Sequence, residues 1–300
     1  MPIHQAFHRD MPDAFNLDRA GVWFSLCCGA FDPISLQIVA LFDDINTRRD
    51  HYEVINDEPT RESFPKVVER IKTLHTHARS RDLSSIFPEG AALTVSYQGT
   101  NFELETLFDL VGWIFSVTGK TPDDATPANY YYPLVILYSQ WCRTLCAKIE
   151  KEPQMVQITW FPQESIKRVC LGSNLDRPKK LRKDAARLKR FTMLHTDGLA
   201  EEAELVDHYT GDGGQLIGHC AETFPMLFVK SLGNTVTMTD VKGVAVKPFA
   251  ALADGLPDKF AVPNTHELRT TLLEDPCDNC KVVLPRLGHI NLDNFSIHNL

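Results

Sequence analysis

Two cysteine-bearing segments constrain this chain most, because their chemistry requires them to meet in space. The first, "GGQLIGHCAETFPMLF" (213–228), holds His219, Cys220 and Glu222 close together. The second, "PCDNC", places Cys277 and Cys280 three apart, directly after Pro276. A separation of 57 positions lies between Cys220 and Cys277. A Cys-x-x-Cys at a helix start turns both sulfurs to one side, since residues i and i+3 share a face. The positive end of the helix dipole lowers a thiol's pKa and favours thiolate, the form that binds zinc. Pro276 suits the position just ahead of such a start, having no N–H to leave unpaired. A third ligand from a second helix start would leave the fourth tetrahedral position open to water. That is the arrangement of a catalytic zinc rather than a structural one. Two neighbours compete for the third place, His219 and Cys220.

The chain has 300 residues, enough for one large or two ordinary domains with a sizeable core. Apolar residues at 43% and charged ones at 23% are ordinary for a soluble globular protein. No apolar run approaches the roughly 18 residues that span a bilayer. The N-terminus, "MPIHQAFHRDMPDAF", lacks the basic and apolar regions of a secretory signal. These features predict an intracellular protein, cytoplasmic or nuclear, without a membrane partner. Eight scattered cysteines then read as free thiols or metal ligands rather than disulfides. Cys27, Cys28, Cys142, Cys146 and Cys170 lie mostly in apolar surroundings and read as small buried hydrophobes.

The net charge is −8, but "RPKKLRKDAARLKR" (177–190) carries eight basic residues and one acidic one. A mainly acidic protein is a poor general binder of nucleic acid. The basic strip could still meet one phosphate-bearing partner through Lys179, Lys180, Arg182 and Lys183. A solvated linker or an exposed helix face accounts for the same residues.

Up to residue 170 the pattern is mainly helical. "PISLQIVALFDDINTRRDHYEVI" and "SFPKVVERIKTLHTHARSRDL" carry apolar residues at helical spacing, the second with Ser63 as a cap. "NFELETLFDLVGWIFSVTG" reads as a buried helix ending at Gly119, and "YYYPLVILYSQWCRTLCAKIEKE" as another. "PQMVQITWFP" is a short strand candidate. After the basic strip, "GLAEEAELVDHYTG" and "CAETFPMLFVKSLGN" read as helices, and "VTMTDVKGVAVKPF" as a strand or hairpin. Residues 250–264 read as a loop, "THELRTTLLED" as a short helix and "INLDNFSI" as a last strand. This alternation indicates an α/β unit. The expected organisation is a mostly helical domain over 1–176, a basic linker over 177–194 and a zinc-bearing α/β domain over 195–300.

A ligand, one residue, then Glu, followed later by Pro-Cys-x-x-Cys, resembles the signature of the zinc-dependent cytidine deaminase superfamily. The Cys-first form is similar to that of free cytidine deaminases. "GHCAE" with "PCDNC" also looks like a poorly characterised branch of the superfamily found in fungi and some bacteria. The resemblance covers about residues 195–300. It implies a cytidine deaminase-like three-layer α/β/α domain with Cys220, Cys277 and Cys280 on Zn²⁺. It also implies that Glu222 moves the proton of an activated water during attack on the amino-bearing ring carbon. Its two-residue step from ligand to Glu favours Cys220 over His219, which would then contact substrate or a ligand. Three thiolates leave such a centre at −1; Lys281 or Arg286 could add positive charge near it, Lys281 could, like His219, contact substrate or a ligand, and simple exposure accounts for either residue. The implied substrate is a cytosine- or adenine-type base, as a small molecule or in single-stranded nucleic acid; a homo-oligomer is left open.

Pro225 departs from the pattern, since inside a helix it costs roughly 3 kcal/mol. It fits only if the helix begins around Cys220 to Glu222. Two other readings remain. A structural finger from Cys277, Cys280, His289 and His298 has gaps unlike the common ones. A degenerate deaminase fold would serve as a non-catalytic, zinc-containing interaction module.

Overall fold

The protein's structure is a computed structural model that describes residues 31–77, 92–145, 153–162, 167–175, 180–194, 218–233, 236–247, 272–287 and 289–297. Helices α1 (Phe31–Thr47) and α2 (Glu58–His77) each bury one stripe. Ile38, Phe42 and Ile45 form that of α1; Phe64, Val67, Val68 and Ile71 form that of α2. α2 starts ahead of Ser63, because Asp57 accepts the N–H of Thr60 at 2.9 Å and caps it. Pro65 deprives the Arg61 carbonyl of its helical donor, and Arg49 Nη1 takes that carbonyl at 2.9 Å.

A hairpin follows, β1 (Leu93–Tyr97) against β2 (Thr100–Leu104). Gln98 and Gly99 turn it with φ of 48° and 81°, as a two-residue hairpin loop demands. "NFEL" is therefore strand, not the start of the expected helix. That helix, α3 (Leu107–Val117), begins after Thr106, whose hydroxyl accepts the Asp109 N–H at 3.0 Å in a capping box. All of α3 is buried, and the chain leaves it at Gly119, φ 73°. A π-helical turn, Pro127–Tyr131, leads into α4 (Tyr132–Leu145).

Strands β3 (Val156–Trp160), β4 (Val169–Ser173), β5 (Lys242–Val246) and β6 (Leu273–Glu274) form an antiparallel sheet in the order β4-β3-β5-β6. β3 and β4 are buried along their whole length, so both faces are covered. The register puts Cys170, Gly172, Gly243 and Ala245 on one face with Gln157 and Thr159. These mostly small residues let α6 (Thr223–Ser231) and the 3-10 turn Leu292–Phe295 approach the backbone. The other face carries Val156, Ile158, Trp160 and Leu171; Tyr131 stacks on Trp160 with centroids 4.3 Å apart. α3 shields the outer edge of β4, where Ser116 Oγ accepts the Leu171 N–H at 3.2 Å.

The fold is thus mixed α/β, but it does not divide at residue 176. β3 and β5, from either side of the basic segment, are hydrogen-bonded neighbours. Residues 180–194 are not a linker: they form helix α5 (Lys180–Leu194), which buries Ala186, Arg190, Phe191 and Leu194. Counting charge along the strip hides those inward positions. "INLDNFSI" holds a 3-10 turn rather than a strand, and Leu273 and Glu274 of the expected short helix lie in β6. Only part of "VTMTDVKGVAVKPF" is extended, since Met238–Asp240 is a 3-10 turn. The helix expected in "GLAEEAELVDHYTG", the loop 250–264, Cys27, Cys28 and Cys146 lie outside the described residues. Among the described residues no helix is long and apolar enough to cross a membrane.

Gly172 controls the seat of α6. A Cβ there would stand 2.5 Å from Pro225 Cδ and 3.0 Å from Phe224 Cβ, and neither is a flexible side-chain end. Gly172→Ala is expected to destabilise the protein by about 1–3 kcal/mol, read as a lower urea midpoint at unchanged slope.

Candidate metal centre

The centre is assembled from two helix starts. Gly218, at φ 94°, opens the turn that carries His219 to Glu222. A side chain there would stand 2.5 Å from the Arg187 carbonyl, so only glycine fits between this turn and α5. The His219 carbonyl accepts the Leu175 N–H at 2.9 Å and ties the turn to the chain just after β4. Thr223 then donates to the Cys220 carbonyl at 3.2 Å, and α6 begins with Glu222 at its N-cap. Pro225 is the third residue of that helix, where its missing N–H is no loss. This is the start that the proline required.

The second half follows β6. Cys277 caps α7 (Asp278–Arg286) in an extended conformation, and its carbonyl accepts the Lys281 N–H at 2.9 Å. Cys280 lies on the first turn of α7, facing inward and buried. The sulfurs of Cys220, Cys277 and Cys280 all lie within 4.8 Å of one another, with Cys220 and Cys277 at 3.3 Å. Among the described residues this is the one such group of histidine, cysteine and carboxylate ligands. The convergence takes Cys220, not His219. His219 is buried beside it. His289 belongs to no such group, and His298 lies outside the described residues.

The donor set suits a soft or borderline cation. Zinc with Zn–S bonds of about 2.3 Å would hold tetrahedral sulfurs about 3.8 Å apart, within the span found here. Cys277 is held down to about 3 by the thiols of Cys220 and Cys280 donating to it, and then by the N–H groups of Cys280 and Asn279. Cys220 and Cys280 are pushed up in turn, chiefly by that sharing. Cys142 and Cys170, by contrast, are core residues whose thiols burial pushes up.

Glu222 is buried at the centre. Its carboxyl makes no capping hydrogen bond to α6; it accepts from its own backbone N–H and from the Cys280 thiol. Burial, and then the negative charge at Cys277, raise its pKa to about 7; the Cys280 thiol opposes the rise. Glu222, Cys220 and Cys280 line one narrow cavity with Leu194, Met226 and Val283. The cavity has room for about one water molecule between its walls.

The other expected residues sit elsewhere. Lys281 is exposed and paired with Asp278 at 3.0 Å. Arg286 is in the last turn of α7. Lys180, Arg182 and Lys183 fall in the first turns of α5, and Lys179 lies outside the described residues. Two contributors were not apparent from the motifs. Asn279, between the two cysteines, lends its N–H to Cys277, and the Cys-x-x-Cys spacing itself could have pointed to it. Leu194 closes the cavity from α5, and its helical spacing from Phe191 and Arg190 was the available signal.

The chain matches no known family model, no curated protein and no solved structure.

Proposed function

We propose that this protein is a zinc-dependent hydrolytic deaminase of a cytosine- or adenine-type base, built on a cytidine deaminase-like α/β/α arrangement. The observation that carries the reading is Glu222. Its buried carboxyl stands two positions from Cys220, free of any capping duty, in the same cavity as Cys220 and Cys280. Cys220, Cys277 and Cys280 would hold the zinc. When bound there, zinc supplies a water acidified enough to act as nucleophile near neutral pH. Glu222 would take up a proton at a carboxyl oxygen, pass it to the ring nitrogen and then assist the departure of ammonia. The helix starts at Cys220 and Cys277 would temper the negative charge of three thiolates. The apolar walls would keep bulk water from competing with the ordered one. A planar base needs more room than the cavity has, so Leu194 and Met226 would have to part to admit it.

The test joins metal analysis to turnover. The protein as purified is expected to hold about one zinc per chain, and Cys277→Ala to hold almost none. Ammonia should be released from at least one member of a panel of bases, nucleosides, nucleotides and single-stranded oligonucleotides. Absence of zinc overturns the reading at its base. Zinc without turnover of any member leaves a metal-bearing interaction module instead.

A further inference from the structure

Helix α5 runs beside the cavity. Leu194 lines its wall, and Phe191 packs on Val283, which lines it too. Arg187 lies on the same face, seven positions before Leu194 and about 10 Å from it along the axis. A Cβ on Gly218, another cavity-lining residue, would stand 2.9 Å from Arg187 Cγ. The Arg187 side chain thus leaves its helix against the turn that carries Cys220. Its Nε and Nη1 are both shut away from solvent, and neither has an acceptor among the described residues. Arg190, one turn on, is fully buried and leaves only its Nε without an acceptor among the described residues. It donates to the Ser173 carbonyl at 3.1 Å and to Asp109 Oδ1 at 2.5 Å.

Arg187 as a whole is half-buried, but a guanidinium with two donors shut away and idle is costly to keep unless an anion takes them. The planar fork matches the oxygens of a phosphate or carboxylate. Lys189 is held by Glu103 and Glu105 and Arg190 by Asp109, but the run 177–190 keeps five other basic residues beside Arg187 against one acidic, which favours the more highly charged phosphate. We propose that Arg187 is the phosphate-recognition residue of the site, so that the substrate is a nucleobase carrying a phosphate. This rests on the deaminase reading. The phosphate belongs to a nucleotide or to a single strand of nucleic acid, and both present the same group.

The experiment uses the full zinc-loaded chain as parent, Arg187→Gln and Arg187→Lys. Inorganic phosphate is titrated calorimetrically. Ammonia release is followed on cytidine and adenosine, their monophosphates, and short single-stranded oligonucleotides of each base. Phosphate is expected to bind the parent and to bind Arg187→Gln about 10- to 100-fold more weakly, with Arg187→Lys between. kcat/KM should fall by a similar factor on phosphorylated substrates and stay unchanged on the nucleosides. Whether the mononucleotide or the oligonucleotide shows the loss identifies the phosphate's source. If Arg187→Gln loses its zinc or its far-ultraviolet dichroism, Arg187→Lys decides, by weaker phosphate binding at full zinc. Equal phosphate affinity in every folded variant, or equal losses on nucleosides and nucleotides, overturns the proposal even if deamination is found. Arg187-dependent phosphate binding in a chain that deaminates nothing keeps the anion site and sinks the deaminase reading alone.

Discussion

Glu222→Ala is expected to reduce ammonia release by about 10²- to 10⁴-fold while zinc stays at about one per chain. The factor is that of a positioned general acid–base group. The three sulfurs come from other residues, so the metal should remain. Cys277→Ala provides the contrast, losing zinc and activity together. A second measurement separates a working group from a structural one. A buried carboxyl is a cost to the fold unless it is paired. The folded pKa of Glu222, about 7, lies above its ordinary 4.5, with burial as the main cause. Such a group adds stability fully below the unfolded value and loses it as pH rises through the folded one. In the chelated protein, Glu222→Gln should therefore unfold at a higher urea midpoint than the parent near pH 8. The difference should fade towards about pH 4. Lost turnover with retained or increased stability marks a residue kept for chemistry. If stability falls in step with activity, Glu222 is structural and the mechanism fails.

The centre was legible in the sequence because its parts are local. Cys220 with Glu222, and Cys277 with Cys280, each lie within one helical turn, and a proline bounds each start. Pro225 even limits where α6 begins. The sheet was much less legible. β4, "VCLGS", is five residues long and contains glycine, so it carries little strand signal. Its glycine is needed because Pro225 sits on it, a relation between positions more than fifty apart. The turn Gln98-Gly99 had a readable hairpin signature, but the helical pattern just after it masked the strand. The division at residue 176 failed for a different reason. Composition changes there, whereas β3 and β5 pair across the change, and strand pairing leaves no mark in local composition.

Arg190 shows most clearly what charge counting conceals. It belongs to the basic strip, yet its side chain is fully buried, as is that of Asp109, 81 positions away. Asp109 Oδ2 accepts the N–H groups of Glu105 and Thr106 at 3.1 and 3.0 Å, so the pair fastens the start of α3 to α5. The Ser173 carbonyl, taken by Arg190 Nη1, adds the end of β4. The guanidinium also lies 5.6 Å from the centre of the Phe224 ring, two residues after Glu222. Arg190→Met removes one partner and leaves a buried carboxylate uncompensated, at a cost of about 3–5 kcal/mol. A double replacement, Arg190→Met with Asp109→Leu, removes both charges. It should recover part of that loss, the part due to the stranded carboxylate, though the α3 cap stays broken. Denaturant midpoints of the parent, both single variants and the double variant measure this directly. Strictly additive single losses would mean that the pair is not coupled. A loss below about 1 kcal/mol for Arg190→Met would mean that water reaches Asp109 and that the pair is not a buried one. Since Arg190 reaches Phe224 through its ring face, the same variant should also weaken zinc retention under chelator challenge. That would follow if α6 keeps Cys220 in place only while it is held between Gly172 and α5.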